Sequence, residues 1–320
     1  MAPEPDHVMR PRVYDELEAS ARAGLDPGAI AATAANYYWD ETLNRLRAKL
    51  YDAPFSVRLL CTAIAGPEGG DALRDAAAEA CAEFTAALPP GFRTYPNPPS
   101  SYHSTVFHTA HPSDPRPKDE TQIAAELAAC RALVAATPAL HVEVDRLVLA
   151  SSGVLLVLLN EQGLGPSPTD DLRVRCRAAF PDAPKKQATH VMHVSLCRVE
   201  TAPAAEDDAW RAVMQRVDSL SARLRGAKAT LRTIWHVQEP RIAVCGDLEE
   251  GCSVEPMATA KPPVSISSRN PSRASSHAPW SPLSLANTAY GGASKNDRST
   301  ATAVDARRAS ARSCTGRYCR

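Results

Sequence analysis

The feature that most constrains the fold is a tight turn between two apolar strands in the middle of the chain. Leu140 to Ala150 and Val154 to Asn160 both have strand-like sequences, and only Ser151-Ser152-Gly153 separates them. Strands joined this closely are expected to form a hairpin, in which they run antiparallel. The hairpin argues against a purely parallel, doubly wound sheet.

Strand-like and helix-like segments alternate on both sides of this hairpin. Strands are predicted at Ser56 to Ala65, Ser101 to Thr109, Thr189 to Val199 and Ala229 to Val237. Helical spacing of apolar residues predicts helices at Asp71 to Leu88, Thr121 to Ala136, Asp171 to Ala179 and Glu206 to Leu224. The order predicts an α+β domain of two strand–helix–strand halves.

Two segments flank this domain. Apolar residues recur at three- and four-residue steps between 8 and 50, which predicts a helical N-terminal segment. From about Gly251 the chain is rich in Ser, Ala, Pro and Arg and has no period, which is typical of disorder. We therefore divide the chain into a helical segment (1–54), a folded domain (55–246) and a disordered tail (247–320).

Charge is unevenly distributed along the chain. The 36 basic and 36 acidic residues cancel overall, but residues 1–250 hold 26 basic and 33 acidic residues, and residues 251–320 hold 10 and 3. An acidic folded part disfavours tight binding of long nucleic acid, because phosphate contacts dominate such affinity. Long RNA is expected to contact only the basic tail.

The sequence predicts a cytoplasmic protein that does not bind membranes. No apolar run approaches the roughly 20 residues of a membrane-spanning helix. The acidic N-terminus lacks the apolar core of a signal peptide, and nine cysteines without regular spacing are typical of reduced thiols. We also expect a monomer.

Two short motifs of the same form lie in predicted strands 90 residues apart. His103-Ser104-Thr105-Val106 and His193-Val194-Ser195-Leu196 both read His-x-Ser/Thr-apolar, one in each half of the domain. Strand side chains alternate, so the His and the hydroxyl of each motif share a face. If the two strands lie near each other, two imidazoles and two hydroxyls converge on one small volume.

Such a cluster suits phosphodiester cleavage. A neutral imidazole accepts a proton from an attacking hydroxyl or water, and a protonated one donates a proton to the leaving oxygen. The free imidazole pKa of about 6.5 allows both roles near neutral pH. Hydroxyls can hydrogen-bond the phosphate oxygens as charge develops, so neither a metal nor another cofactor is required.

The pattern resembles the two-histidine (2H) phosphoesterase superfamily, also called LigT-like. The resemblance covers about residues 55–240 and depends mainly on HSTV at 103–106 and HVSL at 193–196. It implies a bilobal α+β fold in which His103 and His193 are the acid/base pair and Thr105 and Ser195 bind the phosphate. The N-terminal segment and the tail have no counterpart in the minimal domain of that family.

The resemblance implies a metal-independent phosphodiesterase acting on a cyclic phosphate. The substrate would be a small molecule or a short RNA end: a 2′,3′-cyclic nucleotide, an ADP-ribose cyclic phosphate or a terminal RNA phosphate. Two alternatives stay open: a non-catalytic nucleotide- or RNA-binding module on the same fold, and a 2′–5′ RNA ligase-type activity.

Other residues admit a functional and a structural interpretation. A metal site could be built from His103, His108, His111 and His190, but hydrogen-bonded histidines on different faces are favoured. Cys197 is predicted to share a face with His193 and Ser195 and could act as a nucleophile, although packing is the favoured role.

Further candidates could contact a nucleotide directly. Aromatic stacking on a base is possible for Tyr95, Tyr102 and Trp235. Arg58 and Arg198 could each pair with a phosphate. The rigid, polar segment from Pro112 to Asp119 follows the first motif, and a plain connector is slightly favoured there.

Overall fold

The computed structural model describes residues 6–52, 57–162, 167–184, 191–201, 208–241 and 252–260. The α-helices in these ranges are α1 (Asp6–Arg22), α2 (Pro27–Ala34), α3 (Gly70–Ala86), α4 (Glu120–Ala135), α5 (Pro168–Ala179) and α6 (Asp208–Leu224). The strands are β1 (Tyr37–Asp40), β2 (Arg45–Ala48), β3 (Val57–Ala63), β4 (Thr94–Pro96), β5 (His103–Ala110), β6 (Leu140–Leu149), β7 (Val154–Glu161), β8 (His193–Val199), β9 (Lys228–Leu231), β10 (Thr233–Glu239) and β11 (Ser253–Ala258). A short 3-10 helix spans Pro99–Ser101. Within the described ranges, no helix has both the length and the apolar character that crossing a bilayer requires.

A nine-stranded sheet organises the domain. Its strands follow the order β11-β10-β3-β5-β8-β7-β6-β9, with β4 paired to β8, and its ladders are antiparallel. The predicted α+β class is confirmed, and β6 and β7 form the predicted hairpin. Gly153 in its turn has a φ of 80°, and a Cβ there would lie 2.8 Å from the carbonyl oxygen of Val199. This close approach requires glycine.

The two ends of the sheet are connected by a single residue. The sequence predicts one strand from Ala229 to Val237, but the structure has two, β9 and β10, separated only by Arg232. β9 pairs with β6 at one edge, whereas β10 pairs with β3 near the other edge. The sheet must therefore curl until its two ends approach each other. An ion pair between Arg232 and Glu68 supports the crossing point, with Nε 2.8 Å from Oε1.

The main hydrophobic core lies between the sheet and helices α3 to α6. It includes Phe84 of α3, Val134 of α4, Leu172 of α5 and Val213 of α6, all of which are buried. Val106 of β5 and Val194 of β8 point into the same core. The neighbouring side chains of the two motif strands therefore face away from it.

The N-terminal segment is only partly helical. Helices α1 and α2 are followed by an antiparallel hairpin of β1 and β2, in the region where helical spacing had predicted another helix. The Asp40 carboxylate accepts hydrogen bonds from the backbone N–H groups of Thr42 and Leu43, both at 3.0 Å, and Asn44 adopts a left-handed φ of 48°. This turn chemistry, together with the aromatic residues of β1, favours a hairpin over a helix.

The sheet also extends into the segment that was predicted to be a disordered tail. β11 pairs with β10 through, for example, Ile234 and Met257, and the Met257 side chain is buried. Val254 and Cys252 pack against a second buried cluster that includes Val57 and Val237, so apolar contacts accompany this edge strand although the surrounding composition resembles that of a linker. The rest of the predicted tail, 261–320, lies outside the described residues.

Helix α1 is attached to the sheet by a buried tyrosine. The Tyr14 hydroxyl donates a hydrogen bond to the Leu159 carbonyl at 2.7 Å and accepts one from the Met192 backbone N–H at 3.1 Å. Tyr14 is completely buried, so water cannot replace either bond. Helix α1 therefore contacts the backbone directly before His193.

We expect Tyr14→Phe to lower the free energy of unfolding of the full chain by about 1–3 kcal/mol, because it leaves buried backbone groups without a partner. Urea unfolding followed by circular dichroism measures the change. Tyr38→Phe is the matched control, since the Tyr38 side chain is 42% exposed. An equal effect of the two substitutions would contradict the anchoring role of Tyr14.

Candidate active site

The two predicted motifs begin neighbouring strands of the sheet. β5 and β8 pair at a single position, Ser104 with Val194. Continuing this antiparallel register by one residue in each direction places His103 opposite Ser195 and Thr105 opposite His193. The two imidazoles are then diagonal neighbours, whose Cβ atoms are typically about 7–8 Å apart.

All four motif side chains line one open cleft. His103, Thr105, His193 and Ser195 are half-buried, and the cleft that they face has a volume of about 720 Å³. Their alternate neighbours, such as Ser104 and Val194, are buried on the opposite face. The structure thus brings the predicted residues together, as the strand alternation requires.

A β-bulge in each motif strand adds a third side chain to the cleft. Between β3 and β5 the pairing shifts from Cys61–Thr105 to Leu60–Phe107, which leaves Val106 as an extra residue. The bulge turns His108 to the same face as His103 and Thr105. His108 accordingly lines the cleft. The prediction that these histidines lie on different faces is wrong for this pair, because simple alternation ignores the bulge.

The second motif strand has the same irregularity. Between β7 and β8 the pairing shifts from Leu156–Ser195 to Leu155–Cys197, so Leu196 is the extra residue. Cys197 is therefore fully buried, and Arg198 lines the cleft in its place. The prediction that Cys197 shares a face with His193 is wrong for the same physical reason. A hydrogen bond with Cys81 and burial raise the pKa of the Cys197 thiol, which opposes a nucleophilic role.

One hydrogen bond fixes the tautomer of His103. Its Nδ1 lies 2.7 Å from the carbonyl oxygen of Ser101. A carbonyl can only accept, so Nδ1 carries a proton in the neutral ring and Nε2 is the basic nitrogen. Any proton that this ring exchanges with a substrate therefore passes through Nε2.

The environment of His193 favours its neutral form. Burial, together with the nearby charges of His103, Arg173 and Arg198, lowers the pKa of the His193 imidazole to about 4. At neutral pH this ring is thus deprotonated and able to accept a proton.

A buried arginine joins the two motif strands where their own pairing ends. The Arg173 guanidinium of α5 donates hydrogen bonds to the carbonyls of Thr105 and Val106 at 3.3 and 3.2 Å, and to the carbonyl of Val191 at 3.0 Å. Its side chain is only 7% exposed. Arg173 therefore links two carbonyls of β5 to the segment that leads into β8.

The N-terminal helix supports this arginine. Arg173 lies 3.4 Å from Asp170, and the same carboxylate oxygen lies 2.9 Å from the guanidinium of Arg10 in α1. Arg10 itself is 2% exposed. Together with the Tyr14 contact to Met192, this chain of ion pairs holds α1 against the start of β8.

The segment after the first motif borders the cleft. Pro112 and Pro115 line it together with His111, so the interpretation as a plain connector is wrong. Arg58 holds this segment by donating a hydrogen bond to the Arg116 carbonyl at 2.6 Å.

Arg58 is not placed to bind a phosphate. It is buried beside Glu126, with Nε 3.2 Å from the carboxylate oxygen, and it does not line the cleft. Of the two candidate arginines, Arg198 is the one that lines the cleft. A buried arginine with a partner and an exposed arginine look the same in a sequence, because the partner is 68 residues away.

The three predicted stacking aromatics lie away from the described lining of the cleft. Tyr102 is buried, Tyr95 packs against Tyr37 with ring centroids 4.6 Å apart, and Trp235 packs beside β3 and β11. Tyr51, which directly precedes the predicted domain boundary, does line the cleft. The N-terminal segment thus contributes a wall, comprising Ala35, Asn36, Lys49, Leu50, Tyr51 and Asp52.

In the part of the chain that the structure describes, no group of three or more His, Cys, Asp or Glu side chains is arranged to hold a metal ion. His190, which the metal hypothesis required, lies outside the described residues. The Nδ1 atoms of His103 and His111 are both engaged in hydrogen bonds, to Ser101 and Ser113 respectively.

Comparison with known proteins returns matches among solved structures alone. No family model matches the sequence, and no curated protein matches it. The TT0787 protein of Thermus thermophilus is 14% identical, with a TM-score of 0.42 over 63% of this chain and 97% of that one. LigT of Escherichia coli complexed with phosphate is 12% identical, with a TM-score of 0.35 over 64% and 98%.

A third match is Usb1 of Kluyveromyces marxianus with uridine monophosphate, 12% identical, with a TM-score of 0.35 over 63% of this chain and 98% of that one. Each of these three matches has a TM-score below 0.5 and an identity below 25%.

Arg173→Lys is expected to lower the free energy of unfolding by about 1–3 kcal/mol, since one ammonium group cannot reach carbonyls on both strands. The His193 ring signals in nuclear magnetic resonance spectra should shift as well. Arg211→Lys is the matched control, because Arg211 is 70% exposed on α6. If both variants unfold like the wild type, Arg173 does not hold the strands together.

Proposed function

We propose that this protein is a metal-independent phosphodiesterase of the two-histidine type that hydrolyses a cyclic phosphate. The observation that carries the proposal is that both His-x-Ser/Thr motifs line a single cleft. The extended register puts the two imidazoles diagonally across from each other, and the proposal places the phosphorus of the substrate between them. Paired general acid and base groups on opposite sides of a phosphodiester are what in-line displacement needs.

We assign His193 as the general base and His103 as the general acid. The lowered pKa keeps His193 deprotonated at pH 7, so it can remove a proton from the attacking water. The water oxygen bonds to phosphorus while the P–O bond to the leaving ribose oxygen breaks. That oxygen takes the proton from Nε2 of His103, whose Nδ1–H stays bonded to Ser101. Solvent then restores both rings.

The remaining groups of the cleft stabilise charge on the phosphate. Thr105 and Ser195 each stand opposite one imidazole and can donate to a non-bridging oxygen as negative charge grows. Arg198, on the same face as Ser195, supplies a positive charge there. This set accounts for the chemistry with the chain's own side chains. A small cyclic nucleotide or a short RNA end is the proposed substrate.

The purified full chain is expected to hydrolyse 2′,3′-cyclic nucleotides in the presence of EDTA. His103→Ala and His193→Ala should each reduce kcat by about 10²–10⁴-fold, the usual contribution of a general acid or base. His141→Ala is the control, because His141 is exposed on β6 outside the cleft. Binding of cyclic nucleotides without turnover would favour the non-catalytic module instead.

The acid and base assignment predicts different responses to the leaving group. With a p-nitrophenyl phosphodiester, whose leaving oxygen needs little protonation, His103→Ala should recover most of its lost activity while His193→Ala does not. The acidic limb of the wild-type kcat/KM profile should lie near pH 4, where His193 becomes protonated. Recovery in His193→Ala instead would reverse the assignment.

A further inference from the structure

We propose that His108 and His111 form a nucleoside subsite, which orients a substrate whose phosphate lies on the Arg198 side of the cleft. This inference rests on the proposed function and deepens it. It concerns two histidines that the acid/base mechanism does not use.

The subsite arises from the repeated bulge. His108 stands five residues after His103, and Arg198 stands five residues after His193, in each case turned into the cleft by an extra residue. The two strands thus present the same pattern of three side chains. They differ in chemistry only at the third position, where one strand has an imidazole and the other a guanidinium. An anionic group is attracted to the second strand, which leaves the first for the uncharged part of the substrate.

His111 is held in one orientation by Ser113. Its Nδ1 lies 2.7 Å from the Ser113 hydroxyl oxygen and 3.2 Å from the Ser113 backbone nitrogen, which leaves Nε2 as the ring nitrogen outside this contact. The surrounding turn is closed by hydrogen bonds between the backbones of His111 and Asp114. Asp114 forms an ion pair with Arg116, whose carbonyl is bonded by the buried Arg58. The position of His111 is therefore set by the core.

The two rings form an edge-to-face pair. Their centroids are 5.5 Å apart, and their planes meet at 85°. Burial lowers the pKa of His108 to about 3, so this ring is neutral at pH 7. A neutral imidazole offers a flat face and a hydrogen-bonding edge, which match a nucleobase, but it offers no charge to a second phosphate.

The charges around the cleft agree with a substrate of low charge. Among the described lining residues, Lys49 and Arg198 are basic, and Asp52 and Glu239 are acidic. These four formal charges cancel, and the protonated His103 of the proposed mechanism adds one positive charge, which suits a single phosphodiester better than a polyanion. The proposal therefore selects a 2′,3′-cyclic mononucleotide over an ADP-ribose cyclic phosphate, whose pyrophosphate adds two negative charges.

The test compares substrates with and without a base. For wild type, His108→Ala and the control His141→Ala, kcat/KM is measured on 2′,3′-cyclic nucleotides, on glycerol 1,2-cyclic phosphate and on ADP-ribose cyclic phosphate. The wild type should prefer the cyclic nucleotides. In His108→Ala the ratio of nucleotide to glycerol substrate should fall about tenfold, through KM, as expected for one lost contact. His141→Ala should keep the wild-type ratio.

Three outcomes would overturn the subsite: an unchanged ratio in His108→Ala, a fall in kcat alone, or a wild-type preference for ADP-ribose cyclic phosphate.

Failure of the proposed function is recognised separately, as absence of turnover on every substrate. In that case, calorimetry with adenosine 2′-monophosphate and with inorganic phosphate still tests whether His108 contacts the nucleoside. Weaker binding of the nucleotide alone in His108→Ala supports the subsite, whereas equal binding to wild type and variant rejects it. Thermal unfolding checks that each variant is folded.

Discussion

The contact on which the cleft depends is the buried guanidinium of Arg173. Strands β5 and β8 share one paired position in the described residues, Ser104 with Val194. Backbone carbonyls inside a protein need a donor, because leaving them unpaired is costly. Arg173 supplies that donor to Thr105 and Val106 of β5 and to Val191, two residues before β8. One buried side chain therefore links the first motif strand to the segment that leads into the second.

This arrangement gives the N-terminal helix a role in the site. Arg10 and Arg173 share the carboxylate of Asp170, and Tyr14 bonds the backbone at Met192, next to His193. These groups are buried, so each depends on the others for its hydrogen bonds and charge balance. A chain beginning at residue 50 would remove two members of this network. The N-terminal segment is therefore part of the domain and also forms one wall of the cleft.

The repeated bulges explain how two similar strands serve different purposes. In each strand, simple alternation turns a histidine and a hydroxyl to the cleft. Each bulge then turns one more side chain to the cleft, which strict alternation would have placed on the opposite, buried face. With His108 on one strand and Arg198 on the other, the cleft is symmetric in its motif histidines and hydroxyls and asymmetric at the third position. In the proposed function, this asymmetry sets the orientation of the substrate.

Local pattern in the sequence determined the elements and the composition of the motifs. Apolar spacing predicted most of the helices and strands, and the Ser151-Ser152-Gly153 turn predicted the hairpin. The His-x-Ser/Thr pattern identified four of the residues that line the cleft. These features depend on neighbours within a few positions, which a sequence displays directly.

The tertiary structure alone decided what depends on distant partners. The bulges that bring in His108 and Arg198 exist because of pairing with β3 and β7. Arg58 is buried and forms an ion pair with the distant Glu126. β11 pairs with β10, and its Met257 side chain is buried. A hydrogen-bond register or a buried ion pair joins residues far apart in the chain, so its effect on any one side chain appears only once the fold has brought both partners together.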